Sequence, residues 1–140
     1  MKGLPFYTPG TNGFVDVRDI AKAQVLLMNS DIVNEKFVVS AENRTYQDIL
    51  GMIADGFGKR RPFIKVSKGM AMLSWNFFKI KSLLTGTSPI ITKETAGTAM
   101  RRYTYSSKKF TSATNMNFHA IEDTIARLCQ IYKDNNFFKK

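Results

Sequence analysis

The stretch Gly13-Phe-Val-Asp-Val-Arg-Asp-Ile-Ala-Lys-Ala23 decides how this chain folds. Phe14, Val15 and Val17 are aromatic or β-branched, which predicts a short buried strand from Phe14 to Val17. Asp19 follows at the place where an N-cap carboxylate can accept an orphan backbone N–H and complement the helix dipole. A helix is expected from Ile20 to about Ser30, with apolar residues at 20, 21, 25 and 28 and Leu26 and Leu27 beside them. The unit is therefore a strand running straight into a helix.

Downstream, the same alternation repeats with less regularity. Phe37, Val38 and Val39 form a short apolar run within Lys36 to Ser40 that suits a buried strand. Thr45 and Asp48 have capping-box spacing ahead of apolar positions 46, 49, 50, 53 and 57, while Gly58 and Pro62 mark the end of that helix. Pro62 to Val66 reads as another strand, and Ser67 as the cap of an apolar helix reaching about Leu84. A short helix is expected from Ile90 or Thr92 through Met100. Tyr103 and Tyr105 then look strand-like ahead of a Ser/Thr/Lys-rich loop, and positions 121, 125, 128 and 132 define a last amphipathic helix. The fold class expected is α/β, a small mixed sheet with about four to five helices; strands separated by helices suggest parallel pairing. Residues 1–140 read as a single domain, with a sheet thin enough to belong to a lobe that leans on another domain.

Composition narrows the function classes. A hydrophobic content of 44% and a charged content of 23% exclude a disordered tail. A net charge of +10 favours anionic partners without bearing on the fold. The lone cysteine, Cys129, cannot form an internal disulfide and lies on the apolar face of the last helix, as a small core residue would. No charged segment followed by an apolar run opens the chain. The most apolar window, Met70 to Leu84, is broken by Asn76, Lys79 and Lys81, so the expectation is a cytoplasmic protein without membrane contact.

Candidate chemical motifs are sparse. No G-x-G-x-x-G turn joins a strand to a helix; Gly10-Thr-Asn-Gly13 precedes a strand and Gly56-Phe-Gly58 closes a helix. Tyr105-Ser-Ser-Lys-Lys109 matches a Tyr-x-x-x-Lys pattern, but the pair needs a helix to meet and this stretch favours strand or loop. It reads as coincidence, so no catalytic residue is assigned. His119, the single histidine, has no Cys or carboxylate at ligand spacing, and helix capping or exposure accounts for it without a metal. Lys59-Arg60-Arg61 sits where it complements a helix C-terminus.

The opening stretch, the strand–helix unit at 37–57 and the segment Arg101-Arg102-Tyr103-Thr-Tyr105-Ser-Ser-Lys108-Lys109 together resemble the C-terminal, substrate-binding region of the extended short-chain dehydrogenase/reductases. That family of NAD(P)-dependent oxidoreductases includes epimerases, dehydratases and dihydroflavonol-reductase-like enzymes. The resemblance implies the C-terminal lobe of a Rossmann-type enzyme whose dinucleotide-binding domain lies outside this sequence. The chain would then be a truncated fragment, inactive alone, its parent using NAD or NADP on a carbonyl or hydroxyl of a small-molecule substrate. It also implies that Arg101 and Arg102 contact substrate, a task suited to a planar guanidinium fork, with Tyr7 and Asn12 lining the same cleft. Asn12 and Gly13 stand where nucleotide-sugar enzymes commonly carry an arginine and an aspartate, which leans toward the dihydroflavonol-reductase-like branch. The competing reading is a small basic module for nucleic acid or another polyanion, supported by +10 and by Tyr103 and Tyr105 beside Arg101 and Arg102. The scattered lysines and the lack of a nucleic-acid motif count against it. A face normally covered by the absent domain could also drive homo-oligomerisation.

Overall fold

The computed structural model describes residues 3–67, 69–70 and 97–135. It is a small α/β domain with four helices and two two-stranded sheets among the described residues. The strands are β1 (Phe6–Tyr7), β2 (Thr11–Phe14), β3 (Glu42–Thr45) and β4 (Ile64–Lys65). The helices are α1 (Val17–Met28), α2 (Tyr46–Gly56), α3 (Lys108–Thr114) and α4 (Ile121–Asp134). β1 pairs with β4 in parallel, Phe6 opposite Ile64; β2 pairs with β3 antiparallel, Thr11 opposite Thr45 and Phe14 opposite Glu42. The expected parallel pairing thus holds for one sheet and fails for the other.

The stretch 13–23 folds earlier than its β propensity predicts. The strand ends at Phe14, and the helix begins at Val17 with Asp16, not Asp19, as its N-cap. Asp16 Oδ1 accepts the Arg18 N–H at 2.9 Å, as a cap requires. Asp19, expected at the cap, lies inside the first turn and is fully buried. Its burial sets the rotation of α1, so that positions 19, 23, 26 and 27 turn toward the core. Val25 and Met28, read as part of the core stripe, are exposed instead, Met28 at 83%.

α2 follows the sequence reading closely. Thr45 caps it, its Oγ1 accepting the Asp48 N–H at 3.1 Å. The helix ends in a Schellman arrangement: Gly58 N–H reaches Asp55 O, Lys59 N–H reaches Ala54 O, and Gly58 takes φ +62. The Phe37–Val39 run packs without forming a strand; the strand lies later, at Glu42–Thr45. The residues read as a Ser/Thr/Lys-rich loop include α3, held by Phe110, which is completely buried against Phe37 and stacked on Phe118. The apolar helix expected from Ser67 and most of the one ending near Met100 lie outside the described residues, although Ser67 Oγ accepts the Met70 N–H as a cap would.

Two apolar clusters form the core. Ala23, Phe110 and Met116 join α1 to α3, with Leu26, Leu27, Phe37, Val39 and Phe118 around them. Ile121, Ile125 and Cys129 of α4 meet Phe14 and the inner face of α2. Cys129 is a buried free thiol, and burial pushes its pKa up. Gly56 is required there: a Cβ on it would stand 2.6 Å from Cys129 Sγ. Among the described residues, no helix is long and apolar enough to cross a membrane.

Candidate functional site

Two arrangements of charged residues stand out, one interior and one at a strand edge. The interior one is built from the opening stretch itself. Asp16 accepts from Arg18 Nη2 at 2.7 Å, Arg18 Nε at 3.1 Å and Thr124 Oγ1 at 2.9 Å, and faces Arg127 Nη2 at 3.4 Å. Hydrogen bonds from Arg18 hold its carboxyl well below the usual carboxylate range, against the opposing effect of burial. Asp19 Oδ2 accepts the His119 N–H at 2.8 Å, and its Oδ1 lies 2.6 Å from His119 Nδ1. The two aspartates therefore clamp the start of α1 to the start of α4. Glu42 completes the clamp by accepting the Ile121 N–H at 3.1 Å. Burial raises the Glu42 pKa, and the bonds from Ile121 and Arg44 more than offset it, leaving the pKa lowered. His119, read as a cap or an exposed residue, is thus a partner of Asp19.

The second arrangement surrounds β2. Thr11 N–H donates to Arg101 O at 3.1 Å, and Tyr103 N–H donates to Thr11 O at 2.9 Å, so residues 101–103 run parallel to β2 with Arg102 opposite Thr11. Gly10 permits this approach: a Cβ there would lie 2.4 Å from Ala99 O and 2.7 Å from Arg101 O. Further along, Asn43 acts as a surrogate strand, its amide bonding both N–H and O of Tyr105. Ser107 Oγ does the same for Ser40. Asn12 Oδ1 accepts the Gly13 N–H at 3.0 Å and its Nδ2 donates to the Tyr46 hydroxyl at 3.3 Å. Arg101 Nη1 donates to the Tyr103 hydroxyl at 3.4 Å, an interaction that raises the arginine pKa further.

Of the four residues named from sequence, the fold brings Asn12, Arg101 and Arg102 to this edge and leaves Tyr7 apart, on β1 beside β4. The two arginines are not equivalent. Residues opposed across paired strands project to one side and their neighbours to the other. Arg102 thus shares a side with Thr11 and Thr45, and Arg101 shares the opposite side with Asn12 and Tyr103. Tyr46 was read only as an apolar position of α2. Its ring stands edge-on to Phe14, 6.1 Å between centroids, and its hydroxyl reaches Asn12. Tyr105 and Lys109 do not act as a pair: Lys109 Nζ bonds Glu35 and lies 5.1 Å from the Phe37 ring centre.

The described residues do not fit a dinucleotide. Gly10 and Gly13 flank and enter β2 and Gly56 and Gly58 close α2, with the Gly13 and Gly58 N–H groups bonded to Asn12 Oδ1 and Asp55 O, so neither pair forms a strand-to-helix turn with free N–H groups. Among the described residues, no three His, Cys, Asp or Glu side chains group as a metal site.

No protein-family model matches the chain, and no curated protein matches it. One solved structure, the crystal structure of gox2253, is similar over 94% of this chain, with 19% identity and a TM-score of 0.71. The chain spans 40% of the length of that protein. At this identity the likeness is one of fold: the arrangement of helices and small sheets here recurs as a portion of a larger chain.

Proposed function

We propose that this chain is the substrate-binding part of an NAD(P)-dependent oxidoreductase or epimerase that acts on a carbonyl or hydroxyl group, and that it has no such activity by itself. The observation that carries this reading is the docking of residues 101–103 on β2. Two of the three stretches on which the family resemblance rests, about ninety residues apart in sequence, meet at β2. Likeness to a portion of a larger chain supports a lobe that works with another domain. In that reading Asn12 and Arg101 orient the substrate, and hydride chemistry belongs to a cofactor held elsewhere.

The test has two parts on the full chain. NADH or NADPH is incubated with it and a panel of small ketones and aldehydes, and the nicotinamide absorbance is followed. The same compounds are then titrated while amide shifts are recorded by NMR. The expected result is no cofactor oxidation, with saturable shifts at Asn12 and Arg101. Robust oxidation by this chain would overturn the inactive-lobe reading. Salt-sensitive binding of an oligonucleotide, with no small-molecule binding, would replace it by the polyanion module.

A further inference from the structure

β1 and β4 form a two-stranded parallel sheet, and both of its sides show apolar residues to solvent. Phe6 stands opposite Ile64 and Tyr7 opposite Lys65, and successive residues of a strand point to opposite sides. Phe6, 42% exposed, therefore lies on one side, while Phe63, 57% exposed, and Lys65 lie on the other. Phe63 is held at the start of β4 by its N–H, which donates to Pro5 O at 3.0 Å. Leu4, just before β1, is also more than half exposed. Parallel strands occur almost only where both faces are covered. Among the described residues, this ribbon has no such cover on either side.

Cations border it. The turn after α2 runs alongside, so that a Cβ on Gly3 would stand 3.4 Å from Lys59 Cβ and 3.1 Å from Arg60 O. The Arg60 guanidinium lies 4.5 Å from the centre of the Phe63 ring. Lys59, Arg60 and Lys65 are exposed and have no carboxylate partner among the described residues, and Asp55, the acid just before them in sequence, is taken by Arg61. From residue 56 to residue 93 the sequence carries Lys or Arg at eight positions and Asp or Glu at none. The fitting occupant is thus anionic over an extended area, with an apolar layer beneath. Two features choose among polyanions. A folded partner covers one side of a two-stranded ribbon, whereas lipid closes around both. Arg60 also lies over the Phe63 ring, the surface on which a nucleobase would stack.

We infer that the β1–β4 ribbon makes peripheral contact with an anionic phospholipid surface. Leu4, Phe6 and Phe63 enter the headgroup boundary, and Lys59, Arg60 and Lys65 pair with lipid phosphates. Apolar side chains supply the insertion, and each cation near the surface adds to the attraction. No helix among the described residues is long and apolar enough to cross a membrane, so the contact stays superficial. The inference is independent of the oxidoreductase reading, since it concerns where the chain sits and not what it turns over.

The test is co-sedimentation of the full chain with vesicles of phosphatidylcholine alone and of phosphatidylcholine mixed with phosphatidylglycerol. Binding to the mixed vesicles is expected, absent from the neutral ones and weakened by added salt. Arg60→Gln and Lys65→Gln should each weaken it by about fivefold, and Phe63→Ser by about tenfold. Lys22→Gln, which removes an exposed cation of α1, should leave it unchanged. A loss on Lys22→Gln equal to that on Arg60→Gln would reduce the effect to net charge and overturn the proposal. Equal binding to neutral vesicles, binding to neither, or a Phe63→Ser variant that binds as the parent does would overturn it too. Tighter binding to a single-stranded oligonucleotide, lost on the same substitutions, would assign the ribbon to nucleic acid instead. Circular dichroism of each variant separates loss of the surface from loss of the fold. Should Phe63→Ser fail to fold, the two cation variants decide.

Discussion

The molecule gathers arginines in two places and treats them in opposite ways. At the junction of α1 and α4, Arg18 and Arg127 converge on Asp16, a carboxylate with no solvent exposure, and Asp19 beside it is tied to His119. At the β2 edge, Arg101 is exposed and, among the described residues, its guanidinium bonds the neutral hydroxyl of Tyr103. A buried carboxylate with several donors holds elements together, and removing it leaves cations without compensation. An exposed guanidinium bonded to a phenol costs the fold little to release. The charged residues that make the opening stretch conspicuous are thus the structural ones. The residues proposed to contact substrate, Asn12 and Arg101, lie on either side of it.

Substitution at the junction should have the largest effect. Asp16→Ala removes an N-cap and the carboxylate shared by Arg18, Thr124 and Arg127, and should cost about 3 kcal/mol in a urea melt. The effect has a defined pH dependence. The Asp16 carboxyl titrates below its unfolded value, so the stability it supplies is full above about pH 4 and is lost as pH falls through its lower native value. The gap between parent and variant should therefore close in strong acid. A gap that widens in acid would mean that the carboxylate is not what holds the junction.

A smaller effect is expected where the two regions differ in attachment. Gly10→Ala places a methyl group against the Ala99 and Arg101 carbonyls and should cost about 2 kcal/mol. It should also loosen residues 101–103 from Thr11, seen as faster exchange of the Tyr103 and Thr11 amides, while the Thr124 hydroxyl contact to Asp16 persists. Equal loosening at both places would show that edge and junction are one cooperative unit. The smallest change belongs to Arg101→Gln, whose melting midpoint should correspond to within about 0.5 kcal/mol of the parent. A larger loss would make Arg101 a structural residue like Arg18.

Much of this contrast lay in the sequence, and the part that did not has a physical cause. Thr45 with Asp48, and Gly58 after the apolar run, signal the two ends of α2 through local bonds that the structure contains. The strand and cap of the opening stretch are displaced because two aspartates three residues apart can both cap a helix. Which one does is decided by His119, a hundred residues away. α3 escapes notice because its Ser and Thr residues carry weak helical preference; the burial of Phe110 overrides them. At the edge, Arg101 and Asn12 are picked out by the family resemblance rather than by any local pattern. The separation of Arg101 from Arg102 depends on register with Thr11, and Tyr46 looks like a core position until its hydroxyl is located.

The junction also constrains the order in which the chain can assemble. Asp16 and Asp19 find Thr124, Arg127 and His119 only across gaps of 100 residues or more. Closing loops of that length must precede the reward, which slows folding. During synthesis Asp16 meets Arg18 at once, but the Asp19 carboxylate has no partner until His119 follows, several seconds later at about 5–20 residues per second. Docking of the inner face of α1 is therefore expected to wait for the start of α4, with Asp19 keeping that surface hydrated until then.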